Sequence, residues 1–100
     1  MKTLANELAP HMIRVNSVHP TTVDTDMVQN QAMYDLFRPD LAPGSATQDD
    51  VTAAFLTLNG LPIPWVEAVD ISNAIVFLAS DMARYVTGVQ LPVDAGSVVK

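Results

Sequence analysis

The stretch that decides the fold is LANELAPHMIRVNSVHP, residues 4–20. Residues 4–8 predict a helix, because their leucine and alanine side chains share one face, and Pro10 ends the pattern. Residues 12–18 then predict a largely apolar strand, which Pro20 terminates. A run that is apolar on both faces is typical of a buried parallel strand, although an arginine and an asparagine make its burial incomplete.

Outward from this stretch, the apolar spacing predicts three further helices and a second strand. The helices cover residues 27–37, Asp50–Leu58 and Glu67–Ala79, and the strand covers Gly88–Asp94. Either Thr47 or Asp49 is expected to cap the middle helix. Helices that intervene between strands indicate an α/β pattern, in which parallel strands need such a crossover. Two strands alone make a poor sheet, so the chain is interpreted as part of a larger fold.

Composition excludes several classes of function. The 100 residues carry a formal net charge of −6, and only 16% of them are charged. The five basic residues are scattered, which argues against binding nucleic acid or an anionic membrane. Without cysteine there is no disulfide framework and no thiol catalysis. The longest apolar run, Ala74–Ala79, is too short to span a bilayer, and the first residues do not resemble a signal peptide. A soluble, cytoplasmic protein is therefore expected.

The chain has no motif for unaided enzyme chemistry. Its glycines, at positions 44, 60, 88 and 96, form no Gly-rich turn that could cradle phosphates. His11 and His19 lack a metal-binding spacing, and we interpret His19 as structural rather than as a catalytic base. The aspartates between residues 20 and 60 are interpreted as a solvated acidic surface in preference to a cation site. No metal site is predicted.

Two groups of motifs lie near the ends of the chain. The first is LANELAP followed by IRVN and the proline turn; the second is FLASD, YVTG and LPVDAG, at residues 77–81, 85–88 and 91–96. With these motifs, in register at both ends, the chain resembles the C-terminal portion of a short-chain dehydrogenase/reductase. The stretches HPTTVDT and PWVE, at residues 19–25 and 64–67, are similar to the mycofactocin-associated branch, whose members are often named carveol dehydrogenases.

The resemblance implies an α/β fold, the C-terminal part of a Rossmann-type doubly wound parallel sheet. The chain would supply its last two strands, the end of the catalytic helix, the substrate lid and the last large helix. Residues 1–25 would form the helix end, strand and cofactor-proximal turn, and residues 26–65 the substrate-binding lid. Residues 66–100 would form the last helix, the last strand and the C-terminus.

The family's chemistry depends on residues that this chain does not contain. In the family a Ser, a Tyr and a Lys perform hydride transfer, with Tyr and Lys spaced Tyr-x-x-x-Lys on one helix. Here Tyr34 and Tyr85 are followed four residues later by Arg38 and Val89. No catalytic residue is therefore assigned, and it stays open whether the chain is itself an enzyme. We expect a segment of an NAD(P)-dependent oxidoreductase that acts on a small hydrophobic alcohol or ketone and is inactive alone.

Three residues are the candidates for cofactor binding that the resemblance implies: Pro20, Val23 and Thr25. The Val23 backbone would hydrogen-bond the nicotinamide carboxamide, since an amide pairs with an N–H and a C=O together. The Thr25 hydroxyl would contact the carboxamide or the pyrophosphate. The alternative for Thr25 is a helix N-cap for residues 26 onward, which the sequence by itself favours.

The predicted lid has five apolar or aromatic candidates for contact with substrate: Met27, Met33, Tyr34, Phe37 and Trp65. Such a pocket suits a small hydrophobic alcohol such as a terpenoid. The alternative is that these side chains pack a core, which composition alone favours.

The expected cofactor of the complete parent is NAD or NADP, and we do not expect this chain to bind it independently. Two alternatives stay open. The chain would be a non-catalytic interaction module that pairs with a full-length relative, or one half of a split enzyme. Homo-oligomers are also expected, because in the family the last strand and the Glu67 helix build a subunit interface.

Three positions depart from the family pattern. Thr21 stands where glycine is usual, Asp26 replaces a common proline, and Met12 occupies a position after the helix where glycine usually takes a positive φ. In addition, the strand over residues 12–18 lacks one expected neighbour, which leaves an apolar edge. We therefore expect marginal stability or aggregation of the isolated chain.

Overall fold

The computed structural model describes residues 1–100, which divide into two compact units. The first unit comprises Met1–Pro20 and Val69–Val93, and the second comprises Thr21–Ala68 and Asp94–Lys100. The elements, in chain order, are α1 (Lys2–Leu8), β1 (Ser17–Pro20), α2 (Gln31–Phe37), α3 (Gln48–Leu58), α4 (Ala68–Ala79) and β2 (Gln90–Val93), with 3₁₀ turns at Ala9–His11, Asp81–Ala83 and Ser97–Val99.

The first unit contains the only sheet, a parallel pair of strands. β1 pairs with β2 in a register that places Ser17 opposite Gln90 and Pro20 opposite Val93. The parallel pairing confirms the α/β pattern that the element order predicts. β1 has no neighbour on its other side. α4 buries only Leu78, and Ile75 on its predicted core face is 53% exposed.

The predicted boundaries of both strands are wrong. β1 begins at Ser17 and not at Met12, because before Ser17 side-chain hydrogen bonds accompany a single backbone bond, from the Gly88 N–H to the Val15 carbonyl at 2.8 Å. Asn16 accepts a hydrogen bond from the Val89 N–H through Oδ1 (3.0 Å) and donates through Nδ2 to the Val86 carbonyl (2.9 Å). The Arg14 guanidinium donates to the carbonyl of Leu78 at 2.6 Å. β2 is shorter than predicted, and Gly88, with φ +74°, cannot belong to a regular strand.

The end of the first helix agrees with the sequence. α1 ends at Leu8, and Pro10 lies in the 3₁₀ turn that follows. Met12 then ends this turn in the left-handed conformation, with φ 58° and ψ 33°. The side chain of Met12 is 83% exposed, so no burial compensates for the strained backbone.

The second unit is built on α2 and α3. α2 begins at Gln31 and not at residue 27, because Asn30 caps it through a hydrogen bond from the Met33 N–H to Oδ1 (3.0 Å). This corrects the alternative interpretation of Thr25 as the cap of a helix from residue 26 onward. The Thr25 carbonyl only closes a turn, by accepting from the N–H groups of Val28 and Gln29.

Thr47, and not Asp49, caps α3, which therefore begins two residues earlier than predicted. Thr47 and Asp50 form a reciprocal capping box, in which the Thr47 N–H donates to Asp50 Oδ2 at 2.8 Å. The hydrogen bonds from the backbone and the hydroxyl of Thr47 hold the pKa of Asp50 below its usual range. The helix buries Val51 and Phe55, whereas Leu58, predicted on the same face, is 47% exposed. None of the helices is both long and apolar enough to cross a membrane.

We predict that Met12→Gly stabilises the first unit. The expected gain in the free energy of unfolding is about 0.5–1 kcal/mol, the cost of a left-handed non-glycine residue minus the unfolded-state entropy that glycine adds. Urea denaturation followed by circular dichroism measures it. Met27→Gly is the matched control, because Met27 is equally exposed at 83% but has no positive φ. We expect the control to leave the free energy of unfolding unchanged or to lower it. An equal gain in both variants would contradict the presence of backbone strain at Met12.

Candidate functional site

The centre of the candidate site is the Val23 segment, Thr21–Asp24, in the second unit. Val23 and Val66 form an isolated parallel bridge. The Val66 N–H donates to the Thr22 carbonyl and the Asp24 N–H donates to the Val66 carbonyl, both at 2.9 Å. Because consecutive backbone groups in an extended chain point in opposite directions, the N–H and C=O of Val23 itself face away from Val66.

This arrangement leaves Val23 with a main-chain donor and acceptor side by side. The C=O receives only a long hydrogen bond, 3.5 Å, from the Thr25 hydroxyl. The side chain of Val23 is half-buried, and Thr25 is exposed. A donor and an acceptor in such a pair are complementary to a primary carboxamide.

Pro20, the third predicted cofactor contact, belongs to the first unit. It is the last residue of β1, is exposed, and lies opposite Val93 in the strand register. On the same strand, Ser17 Oγ and His19 Nε2 lie 2.8 Å apart. The structure gives His19 no carboxylate partner, so Ser17 and His19 do not form a nucleophilic triad.

The predicted lid residues fall into three environments. Phe37 and Trp65 both contact Phe55, with ring centroids 4.5 Å and 6.0 Å from it. Tyr34 is half-buried and donates its hydroxyl to Gln29 Oε1 at 2.9 Å. These environments agree with the core-packing alternative for the two aromatic rings.

The two methionines among the predicted lid residues differ in exposure. Met33 is half-buried at the first turn of α2. Met27 lies in the turn before it and is 83% exposed. No packing in the second unit orders the Met27 side chain.

Two residues of this region escaped the sequence-based assignment. Phe55, 1% exposed, joins Phe37 and Trp65 in one aromatic cluster, and its place on the apolar face of α3 was the only signal for it. Gln29 has a buried amide nitrogen, Nε2, with no hydrogen-bond partner. Nothing in the sequence distinguishes this glutamine from a solvated one.

Asn59 was predicted only to stop α3, but it is the most buried polar residue, at 2% exposure. Its Nδ2 donates to the carbonyls of Ile63 (2.7 Å) and Pro64 (3.2 Å). Its Oδ1 accepts from the Thr21 hydroxyl at 3.2 Å. Asn59 therefore links the Val23 segment to the connector, residues 59–66.

The C-terminal residues are ordered by a second buried polar side chain, Asp94. Burial acts to raise the pKa of Asp94, but hydrogen bonds from the N–H groups of Val98 and Gly96 and from the Ser97 hydroxyl outweigh it, so the pKa lies below its usual range. These bonds measure 3.0–3.1 Å. They hold the Ser97–Val99 turn against Asp94.

The acidic side chains do not converge on one point. No group of three or more His, Asp and Glu residues is placed to hold a metal ion. An ion pair between Arg38 and Asp40, at 2.9 Å, is local, and the Arg38 guanidinium also donates to the Asp50 carbonyl.

Known proteins are similar to this chain in sequence and in structure. The family model described as "Enoyl-(Acyl carrier protein) reductase" matches residues 1–98. The (−)-trans-carveol dehydrogenase of Rhodococcus erythropolis is 56% identical over 100 residues, which cover all of this chain and 35% of that protein. The human L-xylulose reductase is 40% identical over 96 residues, 95% of this chain and 33% of that protein.

A solved structure agrees with these relatives. The crystal structure of carveol dehydrogenase from Mycobacterium avium in complex with NAD superimposes with a TM-score of 0.95 at 57% identity, over 100% of this chain and 35% of that one. The chain thus spans about a third of the length of the relatives that it matches.

We predict that Asp94→Asn lowers stability at neutral pH and flattens its acid dependence. A lowered folded-state pKa means that the ionised Asp94 contributes stability above its unfolded-state pKa, and that this contribution disappears as the pH falls through the folded-state value, below 3.8. Denaturant midpoints measured between pH 7 and pH 2.5 test this. Asp26→Asn removes the same charge from an exposed position as the control. Identical pH profiles for wild type and Asp94→Asn would refute the prediction.

Proposed function

Since the chain belongs to the short-chain dehydrogenase/reductase family, we propose that it forms the nicotinamide-facing segment and the substrate lid of an NAD-dependent oxidoreductase. The substrate class is a small hydrophobic alcohol or ketone. The observation that carries the proposal is that the N–H and C=O of Val23 are not bonded to Val66. Val66 instead bonds the residues on either side of Val23, Thr22 and Asp24. The fold class that the sequence predicted, part of a Rossmann-type sheet, is confirmed by the match to carveol dehydrogenase.

Val23 would hold the nicotinamide ring by its carboxamide. The Val23 N–H would donate to the amide oxygen, and the Val23 C=O would accept from the amide nitrogen. Both groups belong to the main chain, so they bind the amide without side-chain freedom to lose. When bound, the nicotinamide supplies the hydride donor or acceptor of the reaction. NAD is supported by the M. avium relative, which was solved with it.

Thr25 would complete the cofactor contacts, and Pro20 would act through the backbone that precedes the segment. The Thr25 hydroxyl is exposed and its only hydrogen bond is the long one to the Val23 carbonyl, so it is available for the carboxamide or a phosphate oxygen. Pro20 would limit the conformations at the strand end from which the segment starts, because its ring restricts φ.

The lid would receive the apolar part of the substrate. Met27, Met33, Tyr34, Phe37 and Trp65 remain its candidate residues, and the terpene alcohol in the name of the Rhodococcus relative supports a terpenoid-sized substrate. Gln29 Nε2 adds a buried donor without an acceptor, which suits the oxygen of an alcohol or ketone.

Proton transfer would depend on residues outside this chain, which contains no Tyr-x-x-x-Lys. The chain alone would therefore not turn over substrate. The rest of the catalytic unit would come from the same longer protein or from a second polypeptide that assembles with this one.

A chimeric enzyme tests the proposal. The third of the Rhodococcus carveol dehydrogenase that aligns with this chain is replaced by residues 1–100, and NAD reduction with carveol is followed by absorbance. We expect activity, and we expect Val23→Pro, which removes the N–H, to raise the Kd for NAD about tenfold, the loss of roughly one hydrogen bond.

Val23→Ala is the matched control, because it shortens the side chain but keeps both main-chain groups. We expect it to bind NAD as the unmodified chimera does. A chimera that unfolds cooperatively but does not bind NAD would exclude the proposed function, and equal losses in both variants would exclude the role of the Val23 N–H.

A second candidate function is an interaction module that pairs with a full-length relative or with further copies of itself. The observation that favours it is the exposed apolar surface of α4, where Val69 is 58% and Val76 is 66% exposed. These residues lie seven apart and share one face of the helix. Such a surface on a folded chain is typical of a protein contact.

Sedimentation of the chain with the full-length Rhodococcus relative tests this second candidate. We expect a complex that Val76→Lys abolishes, because a charge would be buried in an apolar contact. Leu36→Lys on α2 is the control, since Leu36 is 67% exposed outside the α4 surface. Absence of a complex, or equal loss with Leu36→Lys, would rule the α4 contact out.

A further inference from the structure

We propose that Asn59, together with the C-terminal brace Ala95–Lys100, sets the position of the Val23 main chain and thereby controls how tightly the nicotinamide end of the cofactor is held. The role of Val23 in this inference rests on the proposed function. The positioning itself rests on hydrogen bonds that are independent of any ligand. Asn59 is thus a positioning residue, since it acts through Thr21, the connector and Val66.

The orientation of the Asn59 amide is determined by its partners. Nδ2 faces two carbonyl oxygens, those of Ile63 and Pro64, and Oδ1 faces the Thr21 hydroxyl. The opposite orientation would place Oδ1 against two acceptors and is excluded. An asparagine therefore fits this site, whereas an isosteric aspartate would oppose a carboxylate oxygen to both carbonyls.

The connector transmits this constraint to the Val23 segment. Asn59 Nδ2 fixes the carbonyls of residues 63 and 64, and the chain reaches Val66 two residues later. Val66 then bonds the Val23 segment on both sides, through the Thr22 carbonyl and the Asp24 N–H. The Thr21 hydroxyl provides a second, direct link between Asn59 and the same segment.

The brace fixes Asn59 from its other side. Lys100 Nζ donates to the Asn59 carbonyl at 3.0 Å, and the Leu61 N–H donates to the Ala95 carbonyl at 2.8 Å. Between these bonds, Gly60 packs on Gly96 so closely that a Cβ at Gly60 would lie 3.2 Å from the Gly96 carbonyl oxygen. Three segments distant in sequence therefore meet at Asn59 and its neighbours.

Amide hydrogen exchange of the full chain tests the positioning. In Asn59→Asp we expect the N–H groups of Val66 and Asp24 to exchange at least about tenfold faster, because the bonds that hold the connector are lost. The buried Phe55 N–H in α3 reports unfolding of the whole unit and should change far less. Equal acceleration of all three amides would show a merely structural role and overturn the proposal.

Lys100→Met provides a milder test in case Asn59→Asp fails to fold. It removes one donor at an exposed side chain and keeps the apolar stem. We expect a selective increase of about threefold in exchange at Val66 and Asp24. Lys2→Met removes the same charge from α1 and should change neither amide. No selective change in Lys100→Met would contradict a role for the brace.

The link to the cofactor is tested by two ligands in the chimeric enzyme. Asn59→Asp should weaken NAD binding about tenfold but leave ADP-ribose, which lacks the nicotinamide, unchanged. Equal losses for both ligands would overturn the link to Val23. If the chimera binds neither ligand before substitution, the proposed function fails, whereas the exchange experiment on the chain still decides whether Asn59 positions the segment.

Discussion

Two prolines in the connector between α3 and α4 create the constraint from which the candidate site follows. Pro62 and Pro64 have no N–H, so this stretch cannot join a regular ladder, yet its carbonyl groups still need donors. The side-chain amide of Asn59 supplies them at a position that is almost fully buried. Because the amide also accepts from Thr21, the donor that satisfies the connector orients the Val23 segment.

In the first unit, too, polar side chains supply hydrogen bonds to main-chain groups. Arg14 and Asn16 interrupt an otherwise apolar run, and the side chains of both form hydrogen bonds with main-chain groups more than 60 residues away. The Arg14 guanidinium donates to carbonyls at the end of α4, and Asn16 both donates to and accepts from the stretch before β2. These polar groups are part-buried but paired, so they lock the strand entry instead of destabilising it.

Some helix and strand boundaries are determined by nearby residues and others by residues distant in sequence. The end of α1 near Pro10 follows from neighbours within a few residues, and the sequence predicts it correctly. The cap of α3 is equally local, and of the two candidates Thr47 and Asp49 the structure shows Thr47. The left-handed Met12 agrees with the family pattern, in which glycine usually takes a positive φ at this position. The start of β1 depends on partners about 70 residues away, which explains why periodicity placed it five residues too early. The helix expected from residue 27 begins at Gln31, since the side chain of Asn30 caps it there.

For the candidate site, the motifs were sufficient to name the family and to predict the turn that contains Val23 and Thr25. They could not reveal that Val66 leaves the N–H and C=O of Val23 free, because this requires two chain segments 43 residues apart to lie side by side. Nor could they distinguish Phe55 from the other apolar residues of its helix, or Asn59 from an ordinary residue after a helix end.

The sequence by itself therefore determined the α/β class, the family and the position of the turn, since these depend on local spacing and on motifs that are contiguous in the chain. Only the tertiary structure decided which backbone groups are available for a ligand and which buried amide holds them. Hydrogen bonds between distant segments depend on three-dimensional proximity, which linear spacing does not encode.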